Sequence, residues 1–187
     1  MPRFTSVCLK ILPAILLLAG CGSKKHEESV AELQRVQSAV HEMDIVVTAG
    51  TNRMEFSRRL TDSLLKIGDL QRGRDKAVSS FSKDEQSTVA EVYQHLSQAL
   101  EAYKDSKSFF GDTHKEDLDP LEGDNLFEEP IHEALQNQFP SLEQIPPALE
   151  HSGNKEYWKG DMLQALWKVA GEEDTMAKQL INQLNHK

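Results

Sequence analysis

The stretch from Ser29 to Asn52, "SVAELQRVQSAVHEMDIVVTAGTN", decides the fold of this 187-residue chain. Its apolar side chains recur at steps of three and four residues, which is the spacing of one face of an α-helix. These positions are Val30, Leu33, Val36, Val40, Met43 and Val47. Gly50 is typical of a helix end, and Thr51 or Asn52 can cap the next helix. The stretch therefore predicts an amphipathic helix over residues 29–49 and a tight helix–helix turn.

Three further segments carry the same helical spacing. A second helix is predicted over about residues 53–71, and a third starts at the capping box Ser82–Glu85 and continues to about residue 110. The last is predicted over about residues 155–185. The apolar face of the second helix consists of Phe56, Leu60, Leu64 and Ile67. Since no run alternates in the manner of a β-strand, the sequence predicts an all-α fold, an antiparallel bundle of about four helices.

A long excursion, over about residues 111–154, interrupts the helical pattern. Its first part, "GDTHKEDLDPLEGDNLFEEP" (residues 111–130), contains eight acidic residues and one lysine. A short helical piece over residues 131–138 and the turn-rich stretch "FPSLEQIPPALEHSGN" follow. Connections of this length inside a compact domain are usually functional or disordered. Because the excursion also contains many apolar residues, we expect it to pack partly against the bundle.

The first 20 residues have the three-part layout of a secretory signal peptide. Arg3 and Lys10 are positively charged, and the apolar run of residues 11–19 is too short to span a membrane. The tetrapeptide Leu18-Ala19-Gly20-Cys21 at the end of this segment resembles the lipobox of bacterial lipoprotein precursors. The resemblance covers residues 1–22 only. It implies that Cys21 receives a diacylglyceryl group on sulfur, that the signal is cleaved before it, and that its new amine is acylated, usually with palmitate.

This resemblance divides the chain and implies a location. Residues 1–20 are the cleaved signal peptide, residues 21–28 are the lipidated cysteine with a short tether, and residues 29–187 form a single helical domain. We expect a lipid-anchored, extracytoplasmic protein of the cell membrane or the outer membrane. Gly22, rather than aspartate, after the cysteine resembles lipoproteins that are sorted to the outer membrane.

Composition excludes several classes of function. Cys8 leaves with the signal and Cys21 is acylated, so the mature chain has no thiol for a disulfide, a metal ligand or a nucleophile. Removal of Arg3 and Lys10 with the signal changes the net charge from −9 to −11. Such acidity argues against nucleic-acid binding. We expect no cofactor.

Two patterns in the sequence resemble metal sites. On a twelve-residue EF-hand loop, positions one, three, nine and twelve would be Asp117, Asp119, Asn125 and Glu128. The match fails at position five, which is Leu121, and at position six, which is Glu122 where glycine is required. Glu129 and His132 have the Glu-x-x-His spacing of di-iron bundles, but that site needs two such motifs. The four EF-hand positions are therefore kept as a calcium candidate only, and no metal is expected.

The expected function is protein binding. No nucleophile elbow, P-loop or zinc-protease motif occurs, so no enzyme is predicted. Phe127, Tyr157 and Trp158 are candidates for the contact with a partner, because aromatic side chains are frequent anchors of interfaces. The predicted role is that of an accessory, assembly or immunity-type protein of the cell envelope. The alternatives are a bundle that binds a metal or small ligand, testable by metal analysis, and a hydrolase with a dispersed site, testable with serine-hydrolase probes.

Overall fold

A computed structural model of the chain describes residues 12–110, 126–142 and 144–186. Within these ranges the helices are α1 (Leu12–Thr48), α2 (Arg53–Val78), α3 (Lys83–Ser106), α4 (Glu129–Gln138) and α5 (Lys159–Asn185). A 3-10 turn, Lys107–Phe109, follows α3. The strands are β1 (Leu126–Glu128), β2 (Leu149–His151) and β3 (Asn154–Trp158). The prediction of a mainly helical bundle is confirmed, and a small sheet is added to it.

The ends of the first helices are fixed by the residues that were predicted from the sequence to cap them. Gly50 has a φ of 82°, the left-handed conformation that glycine adopts readily at a helix end. Asn52 then caps α2, because its Oδ1 accepts hydrogen bonds from the backbone N–H groups of Met54 and Glu55, each at 3.0 Å. At α3, Oε2 of Glu85 accepts hydrogen bonds from the backbone N–H and the hydroxyl of Ser82, and the bond from the backbone N–H is one half of a capping box.

The four long helices alternate in direction. The Ser63 hydroxyl on α2 bonds to the Ala39 carbonyl on α1 at 2.9 Å, as expected for a hairpin joined by the short turn. Helix α5 runs antiparallel to both α1 and α3, and its interface with α3 is the most extensive in the bundle. Helices α1 and α3 are parallel. As a result, the end of α1, the end of α3 and the start of α5 lie together at one end of the bundle.

The core runs the length of the bundle and contains most of the predicted apolar stripe. Its largest fully buried side chains include Leu33, Met43, Phe56, Leu96, Tyr103, Met162, Leu166 and Leu184. One predicted core position is wrong: Leu64 is 37% exposed, whereas its neighbour Ser63 is buried. The small Ser63 side chain hydrogen-bonds to the α1 backbone, which turns the Leu64 side outwards.

The three strands form an antiparallel sheet in the order β1–β3–β2. Residues 155–158, predicted as the first turn of the last helix, instead belong to β3, and α5 starts at Lys159. The hairpin between β2 and β3 turns at Ser152 and Gly153, which both have positive φ, 54° and 86°. This is the conformation that a two-residue hairpin turn needs. The excursion therefore does pack against the bundle in its described part, through β1, α4 and the hairpin.

Helix α1 passes without interruption through the predicted tether. Residues 21–28 are helical, and His26 is held against α3, with its Nε2 3.2 Å from Oε1 of Glu85 and its ring edge against Phe81. The predicted tether is therefore a helix that is continuous with the domain. No helix in the described ranges carries an apolar run long enough to traverse a bilayer. Residues 1–11 lie outside the described residues.

Candidate functional site

An open groove of about 630 Å³ lies between α1, α3 and α5. Asp44 lines it from α1, His95 lines it from α3, and α5 supplies the remaining residues, among them Trp167, Gly171 and Met176. Three carboxylates, those of Asp44, Glu172 and Glu173, face one lysine, Lys168. The groove is therefore acidic, with an aromatic and a thioether side chain in its lining.

Beside the groove, a buried polar cluster joins α1 to α5. Asp174 is 3% exposed, and its Oδ1 accepts a hydrogen bond from Nε2 of Gln37 at 2.9 Å. Its Oδ2 lies 3.0 Å from Nδ1 of His41. Burial raises the pKa of the Asp174 carboxyl, the two hydrogen bonds oppose this shift, and the nearby charge of Asp44 adds to it. The cluster therefore holds the Asp174 carboxyl inside the bundle, where burial disfavours its ionised form.

The groove wall is fixed by contacts between helices. Nδ1 of His95 on α3 is hydrogen-bonded to Oε2 of Glu173 on α5, so this histidine is satisfied by a carboxylate. The indole N–H of Trp167 donates to the Ser106 hydroxyl at 3.0 Å, and the Trp167 ring packs against Phe110. These side chains are therefore positioned before any ligand arrives, which lowers the entropic cost of binding.

The aromatic residues predicted to contact a partner are mostly internal. Phe127 and Tyr157 are 6% and 4% exposed and stack on each other across β1 and β3, with ring centroids 5.5 Å apart. The expectation that these two side chains meet a partner is therefore corrected: they form the core beneath the sheet. Trp158 is half-buried at the end of β3, and its contact with a partner stays a prediction.

The predicted metal positions are not assembled by the described residues. Asp117, Asp119 and Asn125 lie outside those residues, and Glu128 is exposed on β1. Oε1 of Glu129 accepts a hydrogen bond from Lys155 at 2.7 Å, whereas His132 is stacked on Tyr157 with ring centroids 4.1 Å apart. Burial lowers the pKa of His132. The ranges that the structure covers contain no group of three or more side chains that could hold a metal ion.

The His41–Asp174 pair resembles part of a hydrolytic site in geometry alone. A carboxylate that fixes an imidazole is two thirds of a catalytic triad, and a hydroxyl or thiol bonded to the other ring nitrogen would complete it. Within the described part of the chain, no hydroxyl hydrogen-bonds to His41. The pair therefore joins α1 to α5 and holds the groove wall. Sequence reasoning missed it because its members are separated by 133 residues along the chain.

Exchange of Asp174 tests this account of the buried cluster. Asp174→Ala should lower the free energy of unfolding by about 1–3 kcal/mol, because the buried amide of Gln37 loses its acceptor. Asp174→Asn keeps that acceptor and removes the charge, so it should be at least as stable as the wild type at pH 7. Urea unfolding of both variants, followed by circular dichroism, measures the difference.

The pH dependence of Asp174→Asn has a definite sign. Because the folded-state pKa of Asp174 is raised, its favourable contribution is complete below about pH 4 and is lost as the pH rises through that pKa. The advantage of the asparagine variant over the wild type should therefore shrink as the pH falls from 7 towards 4. An advantage that grows on acidification would contradict the burial argument.

Comparison with known proteins gives no relative on which a function could be based. No protein-family model, no curated protein and no solved structure matches the chain. The function of the groove therefore has to be argued from its own residues.

Proposed function

We propose that this protein is a lipid-anchored, non-catalytic component of the bacterial cell envelope that acts by binding another protein through the groove between α1, α3 and α5. The observation that carries the proposal is the openness of this groove. Small-molecule sites usually enclose most of the ligand surface. An open groove suits side chains that project from a protein surface.

The composition of the groove supports a protein partner. Met176 is 48% exposed at its edge, and the groove also has Trp167 in its lining. Flexible thioether and aromatic side chains are enriched in the cores of interfaces. Trp158 lies at the start of α5, about 20 Å along the helix axis from Gly171, so a partner that extends beyond the groove could also reach it.

The continuous α1 helix gives the anchor a defined relation to the groove. Cys21 and Asp44 are on the same helix, 23 residues apart, which corresponds to about 35 Å along the helix axis. The groove is thus remote from the acylated cysteine. On this proposal a partner is met above the membrane surface, and anionic lipid headgroups do not compete for the groove.

Site-specific photo-crosslinking in living cells tests the proposal. A photoreactive amino acid at position 176 should give a covalent adduct with another protein, because Met176 lies at the groove. The matched control is position 54, since Met54 is 82% exposed on α2 and lies outside the groove. Adducts at position 176 but not at position 54 would support binding in the groove. Equal adducts at both positions, or none at position 176, would overturn it.

A further inference from the structure

Asp44 is the half-buried carboxylate of the groove that has no partner of its own, whereas Glu172, which also lacks a partner among the described residues, is exposed. Glu173 is bonded to His95, whereas Asp44 makes no hydrogen bond or ion pair with any described residue. Its side chain is half-buried, so part of its hydration is already lost. A partly desolvated carboxylate without a partner gains more from a cation than a fully hydrated one does.

Gly171 creates the space beside this carboxylate. A Cβ atom on Gly171 would lie 3.1 Å from Oδ1 of Asp44, which is tighter than ordinary contacts. The bare backbone of α5 therefore lets the Asp44 carboxylate sit in the wall of the groove. Any larger residue at position 171 would displace that carboxylate.

A buried hydroxyl within electrostatic range of Asp44 also lacks a partner among the described residues. Tyr103 is fully buried, and its hydroxyl makes no hydrogen bond within the described residues. Burial raises the pKa of Tyr103, and the negative charges of Asp44 and Asp174 add to the shift. The hydroxyl thus stays protonated beside two carboxylates.

We propose that the groove accepts an arginine side chain of the partner protein, with its guanidinium against Asp44 and its stem along Trp167. The inference rests on the proposed function, because it takes the groove as the contact with that partner. Guanidinium is favoured over ammonium since it pairs with a carboxylate through two parallel hydrogen bonds and also packs against indole rings. The net charge of the chain, −9, attracts a basic partner from a distance.

Titration with a blocked Gly-Arg-Gly peptide tests the inference on the full chain in detergent. The chain has two tryptophans, so in a Trp158→Phe background Trp167 alone reports by fluorescence. The matched peptide with citrulline keeps the shape of arginine and lacks its charge. We expect a saturable change with the arginine peptide, and affinity about tenfold lower in Asp44→Asn, because a hydrogen bond to a charged group is lost. If Trp158→Phe does not fold, the Trp167 indole N–H signal in an NMR spectrum of the wild type is the readout.

A second variant separates the groove from general acidity. Glu91→Gln removes one charge from an exposed position on α3 and should leave the affinity unchanged. Equal responses to arginine and citrulline, or equal losses in Asp44→Asn and Glu91→Gln, would overturn the arginine inference. If crosslinking at position 176 is nevertheless observed, the groove still binds a partner, but through contacts other than an arginine. Loss of the crosslink itself would instead remove the proposed function.

Discussion

Phe56→Ala should lower the free energy of unfolding by about 3–5 kcal/mol, a large share of the total of about 5–15 kcal/mol that is usual for a domain. Phe56 is fully buried in α2, and its ring lies 4.9 Å from that of Phe110 and 5.9 Å from that of Trp167, centroid to centroid. Truncation therefore leaves a cavity where α2 meets the end of α3 and the start of α5. Urea unfolding followed by circular dichroism measures the loss.

The matched control for this variant lies on the same helix. Leu65 is 66% exposed, so Leu65→Ala should change the free energy of unfolding by no more than about 0.5 kcal/mol. Similar losses in the two variants would mean that α2 buries a different face. A large loss in Phe56→Ala alone would fix the orientation of α2 in the bundle.

Cys21→Ser should abolish labelling by a palmitate analogue and release the protein from membranes. Serine has no thiol for the diacylglyceryl group, and the proposed anchor depends on two or three acyl chains, at about 0.8 kcal/mol for each buried methylene. Labelling in cells followed by membrane fractionation measures both effects. Cys8→Ser is the control, because Cys8 belongs to the proposed signal peptide and its loss should leave the label in place. Retention of unlabelled Cys21→Ser in membranes would contradict the lipoprotein proposal.

The helices could be predicted because their signals are local. The capping signals act within four residues of the helix ends that they fix, at Gly50, Asn52 and the Ser82–Glu85 capping box. The apolar stripe of α1 is likewise contained in one continuous stretch of sequence. Leu64 shows the limit of this reasoning. An apolar residue at helical spacing was assigned to the core, but the hydrogen bond of Ser63 to the α1 backbone decided which side faces inwards.

The sheet could not be predicted from local pattern. Its strands have three to five residues, too few for an alternation to be distinguished from a helical turn. β1 pairs with β3 across about 30 residues, and only the Ser152-Gly153 turn gives a local signal for the hairpin. The burial of Phe127 and Tyr157 follows from this pairing, so their role could not be judged before the sheet was known.

The groove depends on contacts between distant residues. Asp44 meets Gly171, and His95 meets Glu173, only because α5 packs between α1 and α3. In the sequence, each of these residues is an ordinary polar or small residue of a predicted helix. Their proximity follows from tertiary packing, for which single-sequence periodicity contains no signal.

The unbroken α1 helix couples the distance of the domain from its proposed anchor to the direction in which it faces. Each residue added between Cys21 and His26 would move the domain about 1.5 Å along the helix axis and rotate it by about 100° about that axis. An insertion of about seven residues, close to two full turns, would move the groove about 10 Å further from the anchor and leave it facing in nearly the same direction. An insertion of two would rotate the groove by more than half a turn and point it towards a different neighbour in the envelope.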